Sequence, residues 1–262
     1  MLVFPQLATG ASAVYPITRL SVTRTVVNAL GDGSTVVFGD PDAGMREWEL
    51  HATGLTLSEW TAIDTLFQAV MGRFATFTFL DPAGNLLLHS EEFGDPAWSN
   101  SALIQLTTGV SDPLGTTRAT QVVNAGSAAG AVAQTLAVPG NIRYTFSAWA
   151  KTTGVSNVTL SATTTGGAAT RTIALTSQWQ RAKLDIELGL ATESVVFGVV
   201  LDVGAIVDLF GAQVEAQAGV SDYKETGGSA GLYAEARFAE DELTVTAKGT
   251  DVFDAVIRIV AS

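Results

Sequence analysis

Between residues 86 and 226 the chain carries at least eight short apolar or β-branched runs, separated by turn residues, with no stretch of helical period among them. The clearest are 117–123, 131–138, 143–151, 155–163, 170–175, 178–188, 194–201 and 205–215, with Pro139-Gly140-Asn141 and Thr165-Gly166-Gly167 among the turns. Connections this short join neighbouring antiparallel strands, and each strand has one face to bury. The pattern therefore predicts a β-sandwich of the jelly-roll kind.

The flanks read differently. Residues 23–29 and 34–38 form a predicted hairpin around Gly31-Asp32-Gly33. Residues 46–53 alternate strictly, with Trp48, Leu50 and Ala52 on one face and Glu47, Glu49 and His51 on the other. One helix follows. Thr56 is its N-cap and Glu59 completes a capping box. Trp60, Ile63, Phe67, Val70 and Met71 then recur at helical spacing, and Gly72 stops the helix. A strand over 74–80 ends at the turn Asp81-Pro82-Ala83-Gly84-Asn85. After Gly227-Gly228-Ser229 come three more strands, 232–238, 243–248 and 252–260, with Phe253, Ala255, Ile257 and Ile259 sharing a face. The 36 residues from Gly227 are too few for a core of their own and the first 85 make a thin domain, so the two are expected to pair. This gives a discontinuous domain, 1–85 with 229–262, and an inserted sandwich, 86–228. The expected class is mainly all-β, with one helix.

Apolar residues make up 47% of the chain and charged residues 15%, with a mean hydropathy of +0.30. So few charges predict that part of the surface is covered by partners. Fourteen basic against 26 acidic side chains, a net charge of −12, argue against nucleic-acid binding. The absence of cysteine excludes disulfides and thiolate chemistry. No apolar run is long enough for a membrane-spanning helix, so no membrane insertion is expected. The start, Met1-Leu2-Val3-Phe4-Pro5-Gln6, lacks the basic and apolar regions of a signal peptide.

Signals for catalysis are absent. The two histidines, His51 and His89, belong to no metalloprotease or triad motif. Carboxylate pairs of the glycosidase kind do not emerge either. Glu91 and Glu92 are adjacent and point apart, Asp208 and Glu215 fall on opposite faces of the last sandwich strand by alternation, and Glu240-Asp241-Glu242 is a turn. The chain is expected not to be an enzyme, the alternative being a tail-associated glycan depolymerase. No cofactor is expected, although Glu91, Glu92 and Asp222 leave room for a structural calcium.

Of the five tryptophans, Trp48 and Trp60 follow the apolar pattern, Trp98 reads as a lid on the sandwich, and Trp179 starts a strand. Trp149 stands apart. In 143–151 the apolar parity is Tyr144, Phe146, Ala148 and Ala150, whereas Trp149 shares the polar parity with Arg143, Thr145, Ser147 and Lys151. An aromatic ring on a polar sheet face suits stacking on a sugar. Trp149, with Arg143 and Gln213 as polar neighbours, is the expected glycan-binding set. There is no expected catalytic residue.

Two resemblances attach to particular residues. Leu2-Val3-Phe4-Pro5-Gln6-Leu7-Ala8-Thr9-Gly10, the helix from Leu55-Thr56-Leu57-Ser58-Glu59 to Met71-Gly72-Arg73-Phe74, the strand Phe77-Thr78-Phe79-Leu80-Asp81-Pro82, and Tyr233-Ala234-Glu235-Ala236-Arg237-Phe238 resemble the distal tail (baseplate hub) family of phages and gene-transfer agents. The resemblance implies a tail-hub β-barrel or sandwich domain that closes into a homo-oligomeric ring, often a hexamer, between the tail tube and the tip or hub proteins. It implies a virion tail or phage-like particle as the location, with synthesis in the bacterial host cytoplasm. The middle piece resembles the carbohydrate-binding-module-like jelly rolls of phage tail proteins, through Asn85-Leu86-Leu87-Leu88-His89-Ser90-Glu91-Glu92-Phe93 with Trp98, and through Gly211-Ala212-Gln213-Val214-Glu215. It implies a peripheral module that attaches to a host surface glycan.

Overall fold

The computed structural model describes residues 1–189 and 192–262, with 41–43 described by backbone alone. The chain opens with β1 (Ile17–Ala29), β2 (Thr35–Leu55), α1 (Leu57–Val70) and β3 (Phe77–Leu80). Ten strands follow: β4 (Ser99–Asn100), β5 (Ile104–Val110), β6 (Ala119–Asn124), β7 (Gly130–Leu136), β8 (Tyr144–Lys151), β9 (Asn157–Thr164), β10 (Gly167–Ala174), β11 (Gln180–Ile186), β12 (Val195–Leu201) and β13 (Ile206–Glu215). The chain closes with β14 (Leu232–Phe238), β15 (Val245–Gly249) and β16 (Val252–Ala261). It divides into two compact units. The first comprises Met1–Ala8, Ala13–Phe79 and Tyr233–Ser262, and the second Thr9–Ser12 and Leu80–Leu232.

The first unit is built on an open sheet in the order β1-β2-β16-β14-β3, with β15 added to β16. It is not the closed barrel that was one expected form. The predicted inward parity is observed: Trp48, Leu50, Ala52, Ala255, Ile257 and Ile259 are all buried. Helix α1 covers this face because its cap is formed locally. Thr56 accepts from the Glu59 amide, and the Glu59 carboxylate accepts from the Thr56 amide at 2.8 Å. Ile63, Leu66 and Val70 are its buried stripe, while Trp60 and Phe67 are only partly buried. Met71 departs from the expected stripe. It takes the left-handed C-cap conformation, φ 54°, and its side chain is exposed. Trp48 is the centre of the core, edge-on to Phe79 at 5.1 Å and to Tyr233 at 4.6 Å.

β1 and the first half of β2 behave otherwise. They form a long antiparallel ribbon, paired from Ile17↔Leu50 to Ala29↔Thr35. Beyond Ile17 every residue of β1 is exposed. Cross-strand partners lie on one face, so Val26↔Phe38 marks one face and Val27↔Val37 the other. These four side chains are 41–61% exposed, and Leu20, Leu30 and Met45 are exposed with them. Near its tip the ribbon therefore carries an exposed apolar pair on each face, among the described residues.

The second unit is a sandwich of two five-stranded antiparallel sheets, β10-β9-β12-β7-β4 and β11-β8-β13-β6-β5. This is the expected jelly-roll arrangement. Its core is filled by Tyr144 and Phe146 from one sheet and Phe197 from the other, at 5.6 and 6.0 Å between ring centres. Strands β4 and β5 are additions to the sequence reading. The β5–β6 turn is organised by Asp112, which accepts from the amides of Leu114, Thr116 and Arg118 at 2.8–3.1 Å and from the Thr116 hydroxyl. Burial works to raise its pKa, but these bonds outweigh burial and lower it to about 2. A depressed carboxylate stabilises the fold above its unfolded value near 3.8. Acid titration should therefore remove stability from this module as the pH falls through about 4 to about 2. Asp112→Asn should flatten that part of the unfolding profile in a pH-dependent melting series.

Candidate functional site

The chain itself covers part of the β8 face expected to bind sugar. After β13, residues 216–227 run back across the outer face of the β11-β8-β13-β6-β5 sheet as a strap. Thr145 and Ser147, on the polar parity, are fully buried. The Thr145 hydroxyl donates to the Gln217 carbonyl and accepts from the Gly219 amide, both at 2.9 Å. Arg181 donates to the Ser221 carbonyl at 2.7 Å and to the Ser147 hydroxyl at 3.2 Å. Alternation identifies the face turned away from the core. It says nothing about what else covers that face.

Gln213 lies beneath the same strap. It is 0% exposed, its amide oxygen accepts from the Lys224 amide at 2.7 Å, and its amide nitrogen donates to the Asp222 carbonyl at 3.3 Å. Both ends of its amide hold the strap. Arg143 is exposed and pairs with Glu187 at 3.3 Å. Trp149 is half-buried, opposite Arg181 and Phe210 and beside Gly211. The three expected residues do not converge on one open surface.

The expected separation of Asp208 and Glu215 is also corrected. β13 carries an irregularity between Phe210 and Gln213, so that Asp208↔Lys151, Phe210↔Trp149, Gln213↔Ser147 and Glu215↔Thr145 are the successive pairs. The inserted residue flips the parity, and both carboxylates share the outer face. They do not form an acid–base pair. Asp208 meets Lys151 at 3.6 Å, and fully buried Glu215 meets Lys224 at 3.2 Å and the Ser221 amide at 3.1 Å. Gly211 makes this bulge possible with φ 61°, and a Cβ there would sit 3.1 Å from the Tyr223 ring. Gly211→Ala should cost about 2–4 kcal/mol, combining left-handed strain with displacement of Tyr223. Chemical denaturation of the module measures it.

Trp98 is buried as expected, its indole donating to the His89 carbonyl at 2.9 Å and its ring packed on Phe93. Trp179 faces a cation, with the Lys151 ammonium 4.7 Å from its ring centre.

An open concavity of this unit lies beside the strap, with a volume of about 550 Å³. Thr108 and Gly109 of β5, Thr117, Arg118 and Thr120, the loop residues Glu91, Glu92 and Asp95, and the strap residues Glu225 and Thr226 line it. Arg118 spans Glu91 at 3.0 Å and Glu225 at 2.6 Å, and its guanidinium lies 5.5 Å from the Phe210 ring centre. Glu91 is buried and accepts from the Tyr223 hydroxyl at 3.0 Å. Burial raises its pKa, against the opposing pull of Tyr223 and Arg118. The Tyr223 hydroxyl is in turn pushed well above its ordinary range by burial. Sequence reasoning missed Arg118, Tyr223 and Glu225, because the three meet only through the strap. The oxygen set suggested for calcium does not assemble. Glu91 is engaged by Arg118 and Tyr223, and the group of three potential metal donors found among the described residues is His89, Glu92 and Asp95.

Fold and geometry define a mainly β protein whose second unit is a jelly-roll sandwich with a polar groove. No protein-family profile matches the chain, and no curated protein matches it. Among solved structures it is similar to the module TmCBM61 in complex with β-1,4-galactotriose, at 14% identity and a TM-score of 0.40 over 50% of this chain and 97% of that one. It is similar to the CBM22-1 xylan-binding domain of Paenibacillus barcinonensis Xyn10C, at 16% identity and 0.42 over 52% and 98%. It is also similar to the enzymatically active domain of tailspike protein 4 of bacteriophage CBA120, at 14% identity and 0.40 over 52% of this chain and 22% of that one.

Proposed function

We propose that this chain is a structural subunit that closes into a homo-oligomeric ring in the tail of a phage or phage-derived particle, with the jelly roll as a peripheral attachment module. The observation that carries the reading is the ribbon of β1 and β2. A two-stranded ribbon is marginal by itself in water, and one whose tip exposes apolar pairs on both faces gains stability when that tip is covered. Residues 17–46 hold three arginines and three aspartates, so the whole net charge of −12 lies elsewhere in the chain. A neutral apolar arm can lie against an otherwise acidic copy of the same chain without charge repulsion. A ring repeats one such heterologous contact until it closes. The resemblance of residues 1–85 and 229–262 to the tail-hub family supports sixfold order and neighbours in the tail tube and tip. Electron microscopy of the purified protein tests this: rings are expected, and a field of single particles of 27.2 kDa at high concentration overturns it.

For the module we propose weak binding of a neutral host-surface glycan in the groove beside the strap. Threonine hydroxyls, the Arg118 guanidinium and the carboxylates of Glu91 and Glu225 offer donors and acceptors suited to sugar hydroxyls. The acidic lining disfavours anionic sugars. Repetition around a ring would raise avidity by about 10²–10⁴ over one shallow site. Trp149 and Arg143 do not line this groove. Arg118→Ala should therefore reduce retention on immobilised neutral polysaccharide at least about tenfold while Trp149→Ala does not. The reverse order would return the site to the β8 face.

One observation favours a second reading, glycan cleavage. Glu91 combines a raised pKa with a place in a groove that also holds Glu92, Asp95 and Glu225. Release of reducing ends from host polysaccharide, abolished in Glu91→Gln, would establish it.

A further inference from the structure

The loop that opens the jelly roll turns three times in succession. The Glu92 amide donates to the His89 carbonyl at 3.0 Å, the Asp95 amide to the Glu92 carbonyl at 2.9 Å, and the Trp98 amide to the Asp95 carbonyl at 2.9 Å. These turns fold the loop back on itself and bring the side chains at 89, 92 and 95 together. Both ends are fixed. The His89 amide donates to the Gly227 carbonyl at 2.9 Å, and the buried Trp98 indole donates to the His89 carbonyl at 2.9 Å. The His89 ring is thereby held between two carboxylates. Its Nδ1 lies 2.6 Å from Glu92 Oε2, and its Nε2 lies 3.6 Å from Asp95 Oδ2. One donor atom from each of the three residues lies within 4.8 Å of the others.

The geometry points to His89, Glu92 and Asp95 as a binding site for a first-row divalent transition metal of the zinc class. Donors about 2.0–2.2 Å from a shared ion stand somewhat over 3 Å apart, so the present spacing closes on a metal with a rotamer change at Glu92, whose side chain is 70% exposed. The imidazole sets the metal's identity. Calcium and magnesium take oxygen ligands, whereas an imidazole with two carboxylates suits zinc, cobalt or manganese. Asp95 is preset for ligation, because its Oδ1 accepts from the Ala97 amide at 2.8 Å and leaves Oδ2 toward the histidine. Three protein donors leave coordination positions open, and Glu92 and Asp95 also line the 550 Å³ groove, so the ion would stand at its rim. The site does not depend on what the groove binds.

The test uses the tag-free full chain, stripped with chelator and titrated with Zn²⁺ and, separately, Ca²⁺ by calorimetry, with Co²⁺ as an optical probe. One Zn²⁺ per chain at roughly micromolar affinity is expected, with a rise in melting temperature on loading. His89→Asn, which tolerates the left-handed backbone at φ 46°, and Asp95→Asn, which keeps the bond to Ala97, should each weaken binding at least about tenfold and abolish the Co²⁺ spectrum. Melting of the metal-free variants at the wild-type temperature shows that they fold. His51→Ala removes the other histidine and should leave binding intact. Absence of Zn²⁺ binding, calcium binding in its place, or equal binding by the His89→Asn variant overturns the site.

Discussion

Glu215→Ala is expected to lower the stability of the jelly-roll module by about 2–4 kcal/mol, a fall of roughly 5–12 °C in its melting temperature. Glu215 is fully buried at the end of β13 and accepts from the Ser221 amide, the Lys224 ammonium and the Gln217 side-chain amide. Removing it takes away the buried acceptor shared by these donors and by the Ser221 hydroxyl, and breaking such a buried set costs more than the net gain of one formed bond. Glu215→Gln keeps an acceptor and should lose about half as much. Limited proteolysis gives an independent reading, since a loosened strap exposes residues 216–227 before the sandwich unfolds. An alanine variant that melts with the wild type would assign strap attachment to Tyr223, Gln213 and Arg181 instead.

Val27→Asp combined with Phe38→Asp should dissolve the assembly and leave the subunit folded. The two side chains lie on opposite faces of the ribbon and are 61% and 56% exposed. They belong to no core, so circular dichroism and the melting temperature of the isolated subunit should hardly change. If both faces are buried against neighbouring copies, losing two apolar contacts and desolvating two carboxylates weakens each interface by about 10²–10⁴-fold. Mass measured across a dilution series would show the dissociation midpoint moving by that factor. Replacing exposed Val155, in the turn between β8 and β9, is the matched control and should move nothing.

Local rules made much of this fold legible. The capping box at Thr56 and Glu59 needs only residues three apart. The parity of Trp48, Leu50 and Ala52 needs only a strand with one buried face. Strand β5 escaped because its inward residues Ile104, Leu106 and Val110 are only half-buried and a register shift between Thr108 and Val110 breaks their alternation. The ribbon was half visible as the 23–29 and 34–38 hairpin. What could not be read was that neither face finds cover, because Val and Thr suit a half-buried strand equally well. The site was hidden for two reasons. The bulge at Gly211 reverses the parity of everything after it, and the strap turns a polar face into an interior one. The His89-x-x-Glu92-x-x-Asp95 spacing, by contrast, stood in the sequence. It needed the succession of three-residue turns to become a cluster.

Native mass spectrometry of the full chain at tens of micromolar tests self-assembly through the ribbon most directly. A closed ring predicts a single dominant species at a fixed multiple of 27.2 kDa, sixfold if the tail-hub resemblance holds, reduced to the single-chain mass in the Val27→Asp, Phe38→Asp variant. A wild-type chain that remains at 27.2 kDa under these conditions, with its ribbon open to hydrogen exchange, would contradict the account.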